Sequence, residues 1–193
     1  MGKSRLEAFS DGVFAILITI LVLELKIPHG GSFAALKSLL PVFGSYILSF
    51  IYVGIYWNNH HHLLHSMRRV SGGILWANLH LLFWLSLFPF CTGWMGENHE
   101  SPAPFAVYGI VLLMAAIAYL ILQQTIIAHE GNDSLLKSAL GSDLKGRISP
   151  FVYITAIVMA FVNTWLSAAL YATIALVWLI PDRRIEREFE KAK

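Results

Sequence analysis

Two groups of residues in this chain could do chemistry. The first is the string Arg5-Leu6-Glu7-Ala8-Phe9-Ser10-Asp11-Gly12, which opens an apolar run. A carboxylate at the mouth of a membrane helix is expensive unless paired, so Asp11 is expected to anchor structure or carry function. The second group is rich in imidazole: Asn58, Asn59, His60, His61, His62 and His65, with His80 downstream among Trp76, Asn78 and Trp84.

Each group admits more than one chemistry. His61 and His65 stand one turn apart, a spacing that suits zinc or another transition metal. His65 with His80 is formally a haem pair. Metal transport would want several carboxylates within the same spans, and Asp11 alone is thin, so no metal or cofactor is assigned. Asp11 and the histidines could relay protons. That keeps a proton-coupled cation or metal transporter, using Asp11 and the His60–His65 cluster, as the alternative function. A structural network accounts for the residues better: Arg5, Ser10 and Asp11 with His61 or His65, joined by Trp76, Asn78 or His80, would satisfy a buried carboxylate. Enzyme chemistry finds no support. Ser10-Asp11 has no histidine at nucleophile spacing, the other serines lack a Gly-x-Ser-x-Gly context, and no paired intramembrane aspartates occur.

The elements that must position these residues follow from the charge pattern. The chain has 193 residues, 56% hydrophobic and 13% charged, against roughly 25% charged in an ordinary soluble domain. Residues 38–67, 70–96, 101–129 and 148–181 contain no Asp, Glu, Lys or Arg. A membrane-spanning helix needs about 20 apolar residues. This pattern excludes a soluble enzyme, a disordered chain and a β-barrel, and predicts an all-α membrane protein. The formal net charge of +2 argues against nucleic acid as a partner, and the lone Cys91 excludes an internal disulfide framework. No cleavable signal peptide is expected, because Asp11 interrupts the apolar run.

The expected spans are residues 8–27, 33–67, 74–94, 105–129, 148–164 and 166–181, forming one six-helix transmembrane domain over 1–193. The last apolar run is read as two short helices turning near Asn163–Ser167, and residues 182–193 as a short amphipathic cytoplasmic tail. A polar stretch, Glu130–Arg147, precedes that run. Six spans with both termini cytoplasmic place 12 of the 14 basic residues inside and only Lys26 and Lys37 outside, in the sense of the positive-inside rule. Five spans would put the basic tail outside.

Along the first span, Ala8, Gly12, Ala15 and Thr19 form a small-residue face that lets helices approach closely. Beside it Ile16, Ile20 and Leu23 form a branched row, and Asp11 lies about 140° around the helix from Ile16. By periodicity alone that row is core or lipid contact. Tyr52-Val53-Gly54-Ile55-Tyr56 imitates a potassium-channel filter peptide. It sits inside a continuous apolar stretch, however, and is rejected as a filter.

Arg5, then Phe9-Ser10-Asp11, then Ile16 and Thr19, in a six-span chain of this length, resembles the prokaryotic members of the transmembrane protein 175 family, relatives of the lysosomal and endosomal potassium channel. The resemblance implies a passive potassium-permeable cation channel in the plasma membrane of a prokaryote, embedded in the lipid bilayer. It implies a homotetramer with the pore lined by the first helix of each subunit. Ile16 falls at the family's isoleucine constriction, Thr19 one turn further, and Ile20 and Leu23 at further apolar pore layers. Potassium is then the permeant ion, transient near Ile16 and Thr19, with moderate preference over sodium because an apolar ring selects by the cost of dehydration. The Phe9-Ser10-Asp11 motif takes an anchoring role.

Overall fold

Residues 2–131 and 144–179 are described by the computed structural model, and their regular elements are all helices. In chain order these are α1 (Lys3–Leu23), α2 (Phe33–Lys37), α3 (Leu40–Ser66), α4 (Gly72–Ser86), α5 (Phe88–Glu97), α6 (Pro102–Glu130), α7 (Leu144–Ala160) and α8 (Thr164–Leu179). Four stretches are long and apolar enough to cross a membrane: Lys3–Leu23, Leu40–Ser66, Gly72–Glu97 and Pro102–Glu130.

The boundaries follow local chemistry. Pro41, Pro89 and Pro102 lie in the first turns of α3, α5 and α6, where the missing N–H would have had no intrahelical partner. Ser71 caps α4, its Oγ accepting from the Ile74 N–H at 3.3 Å. Gly131, at φ 69° and ψ -141°, follows the last turn of α6 with a positive φ that glycine, lacking a Cβ, takes without strain. Asn163 caps α8, its Oδ1 accepting from the N–H groups of Trp165 at 2.9 Å and Leu166 at 3.2 Å.

These elements differ from the expected spans in four places. The first helix begins at Lys3 and stops at Leu23, so residues 24–27 lie beyond it. Residues 33–67 divide into α2 and α3, and the third stretch is interrupted at Leu87. Pro89 explains the second break: it cannot donate a backbone hydrogen bond, so the helix restarts around it. The turn expected near Asn163–Ser167 lies at 161–163, with Asn163 as the cap of the following helix. The 182–193 tail and most of Glu130–Arg147 fall outside the described residues.

Helix α6 is the centre of the bundle, packed on α4, α5, α7 and α8. Helix α1 lies at the edge, held by α3 and, less extensively, by α5 and α4. Hydroxyls tie the interior together, as membrane helices require in the absence of water. Thr92 donates to Ser49 at 2.6 Å, Ser49 and Tyr108 share a 3.0 Å hydrogen bond, and Ser45 Oγ lies 3.1 Å from the Thr92 carbonyl oxygen. Gly96 allows the close approach of α5 to α3. A Cβ there would stand 2.6 Å from Ser45 Oγ and 2.7 Å from the backbone of Val42.

Candidate functional site

Helix α1 has two faces. Leu6, Ser10, Phe14, Leu17 and Leu21 are buried against the rest of the chain, at the spacing that keeps one stripe facing a packed neighbour. The opposite side is bare. Gly12, Ala15 and Thr19 are exposed, and so are the large side chains of Ile16 at 58%, Ile20 at 38% and Leu23 at 76%. Beside this face an open cleft of about 750 Å³ runs between α1 and α5, lined by Val13, Ile16, Ile20, Pro89 and Phe90 among others. Lys26 and Glu97 form an ion pair at its end, and the hydrogen bond that Lys26 donates to Glu97 is the main reason the Lys26 pKa is raised.

Thr19 has a definite orientation on the bare face. Its hydroxyl donates to the Ile16 carbonyl oxygen at 2.8 Å. The hydrogen is therefore committed to the backbone, and the oxygen lone pairs remain for an outside donor or cation.

The buried face carries a polar anchor. Asn78 of α4 donates from Nδ2 to Ser10 Oγ at 3.1 Å, and its Oδ1 lies 2.7 Å from His60 Nε2 of α3. All three residues are buried, and the His60 ring packs on Phe14 with centroids 5.4 Å apart. One amide thus bridges three helices. In a low dielectric such a chain is strong only because every member is satisfied. Asp11 lies on the next face and is exposed, and its Oδ1 accepts from Trp57 Nε1 at 3.0 Å.

The expected network is therefore redistributed. Ser10 bonds to Asn78, one of the three alternatives with Trp76 and His80, and Asn78 to His60 rather than His61 or His65. Asp11 pairs with Trp57. Arg5 is exposed, and its side chain has no hydrogen bond or ion pair among the described residues. It lies about 140° around α1 from Ser10, which puts Ser10 and Arg5 on different sides of the helix. His61 and His65 are exposed and stacked on each other, rings 6.0 Å apart. His80 accepts from Trp84 Nε1 at 2.9 Å. Trp76 is 76% exposed, and Phe9 is also exposed. Among the described residues no group of three or more His, Cys, Asp or Glu could hold a metal ion.

A register argument would have found His60. The buried stripe of α3 runs Ser45, Ser49, Tyr52, Tyr56, His60, Leu63, and stepping from Tyr56 by one turn lands on His60. His61 is about 100° off that stripe. Trp57 gave no signal beyond being an indole near the membrane edge.

An all-helical bundle with four stretches long and apolar enough to cross a membrane defines a polytopic helical membrane protein. The comparisons say which. Residues 5–89 match the family described as "Endosomal/lysosomal potassium channel TMEM175". A potassium channel of Chryseobacterium sp. strain P1-3 is 56% identical over 191 residues, covering 99% of this chain and all of that protein. A potassium channel of Streptomyces collinus is 31% identical, covering 91% of each chain. The crystal structure of a lysosomal potassium-selective channel TMEM175 homologue from Chamaesiphon minutus superposes with a TM-score of 0.79 at 29% identity, over 93% of this chain and 97% of that one. The chain belongs to the TMEM175 family, a family of ion channels and not of enzymes.

Proposed function

We propose that this protein is a passive, potassium-permeable cation channel that works as a homotetramer in the plasma membrane of a prokaryote. The bare face of α1 carries the reading: a row of apolar side chains, Ile16, Ile20 and Leu23, beside the outward lone pairs of Thr19. Four such helices about an axis enclose a path constricted at Ile16. An apolar ring there opposes a hydrated ion, and potassium surrenders water more readily than sodium. The names of the bacterial relatives support potassium as the permeant ion.

The same reading gives six spans with both termini cytoplasmic. Helices α7 and α8 are 17 and 16 residues long, at the lower limit for crossing a bilayer. Lys145 near the start of α7 donates to the Val177 carbonyl near the end of α8 at 3.2 Å, as expected for a hairpin that returns to the side it left.

The test is the reversal potential under opposed potassium and sodium gradients in liposomes. Ile16→Ala should raise conductance and weaken the preference for potassium. The same change at Ile18, about 200° around the helix and partly buried, should do much less. Unchanged permeation in Ile16→Ala would remove the constriction, and potassium flux obligatorily coupled to protons would remove the channel.

A further inference from the structure

The first two turns of α1 carry two cations, and the structure separates them. Lys3 turns inward: its Nζ donates to the His65 carbonyl oxygen at 2.8 Å and lies 3.9 Å from Glu7. Arg5 turns outward, and its side chain has no partner among the described residues. On a helix advancing about 100° per residue, Arg5 falls within about 20° of Gly12, Ile16 and Leu23, and about 160° from Lys3. It stands about 16 Å along the axis from Ile16. The carboxylates nearest in sequence point away from it: Glu7 faces Lys3, and Asp11, about 120° from Arg5, accepts from the neutral Trp57 indole.

We propose that Arg5 is a specificity-determining residue of permeation: one guanidinium from each subunit forms a positive ring at the N-terminal mouth of the pore, which restrains cations approaching from that side. The proposal rests on the α1-lined assembly proposed above. A guanidinium stays charged at any workable pH, so the ring cannot be titrated away, but salt screens it. The Debye length is about 30 Å at 0.01 M and about 3 Å at 1 M. The ring therefore depletes the mouth of potassium in dilute solution and fades in concentrated solution. Cations leaving through it feel no equal barrier on the far side, so the signature is a rectification that depends on ionic strength.

The experiment records potassium currents through the full-length channel in planar bilayers with symmetric KCl, at about 0.02 M and about 1 M. Sidedness is set by protease access to an N-terminal tag. At low salt the current entering from the N-terminal side should be roughly two- to fivefold smaller than the current entering from the other side, and the ratio should approach one at high salt. Arg5→Gln should abolish the low-salt asymmetry, and Arg5→Lys should keep it. Lys3→Gln removes the same charge from the opposite face, where Glu7 already offsets it, and should reduce the asymmetry less than Arg5→Gln does. Rectification that ignores salt in the unmodified channel would overturn the ring, as would equal effects of Lys3→Gln and Arg5→Gln. If Arg5→Gln fails to assemble, the salt dependence of the unmodified channel and of Arg5→Lys decides. An Ile16→Ala variant with altered conductance beside an Arg5→Gln variant with unaltered asymmetry would sink the ring and leave the pore reading standing.

Discussion

Thr19 gives its hydroxyl hydrogen to the carbonyl oxygen of Ile16, the residue one turn earlier on the bare face of α1. The two residues proposed as neighbouring pore layers are thus linked through a single hydrogen bond. That bond fixes which way the threonine oxygen presents its lone pairs.

Thr19→Val conserves shape and removes that oxygen. Assembly should be retained, while the preference for potassium over sodium falls about fivefold, the equivalent of about 1 kcal/mol for one lost polar contact. Thr19→Ser should keep most of the preference. Reversal potentials check both, and an unchanged ratio in Thr19→Val would show that the oxygen does not meet the ion.

Asn78 is the middle of the chain Ser10–Asn78–His60. Asn78→Leu leaves the hydroxyl and the imidazole buried without their shared partner, at about 1–3 kcal/mol for each orphaned group. Ser10→Ala removes one end and should cost about 1 kcal/mol. The double variant should be less destabilised than the two losses added together, since both act on one network. Thermal unfolding in detergent, followed by loss of the assembled peak on size exclusion, measures all three.

Two glycines make a contrast. Gly96→Ala drives a methyl group into Ser45 and the α3 backbone, and overpacking of this kind costs about 1–3 kcal/mol. Gly12→Ala meets nothing within 4 Å in the single chain, so the subunit should fold normally. Replacement of Gly12 by leucine should weaken subunit association if the α1 helices approach each other there. Native mass spectrometry distinguishes a folded monomer from a lost tetramer.

The Lys26–Glu97 pair predicts a direction with pH. Hydrogen bonding to Glu97 raises the Lys26 pKa above 10.5, so the pairing is fully present below that ordinary value and disappears as pH climbs through the raised one. Glu97→Gln should therefore let the Lys26 amine react with an acylating reagent at lower pH than in the unmodified protein. Identical reactivity profiles would show that the pair does not persist in solution.

Much of this architecture was legible without coordinates. Charge-free windows locate apolar helices because an unpaired charge is hard to bury in hydrocarbon, but they do not set the starts: spans expected from 33 and 105 begin as long helices at Leu40 and Pro102. The interruption at Leu87 was not legible, since Pro89 sits in a stretch whose hydropathy does not change. In the anchor, Ser10 could be named beside Asp11, whereas Asn78 stood only as one of three alternatives with Trp76 and His80. The choice among six clustered polar residues needed the rotation of α3, which a list of histidines does not contain. Arg5 was assigned to the anchor because it is close to Asp11 in sequence, whereas a helix separates residues six apart by about 120°.

The break at Leu87 makes the third stretch two separately indexed pieces. Asn78, which reaches Ser10, belongs to α4, and Gly96, which admits Ser45, belongs to α5. In an unbroken helix a residue gained or lost would swing everything beyond it by about 100°, and the two contacts could not both survive. At the junction Leu87 N–H reaches back to the Trp84 carbonyl at 3.3 Å, and the Leu87 carbonyl accepts from Cys91 at 3.1 Å, so the two pieces stay coupled through this one residue. The piece Phe88–Glu97 packs on α1 as well as on α3 and α6, so exchanging it between relatives would move the seating of α1 together with the Gly96–Ser45 contact.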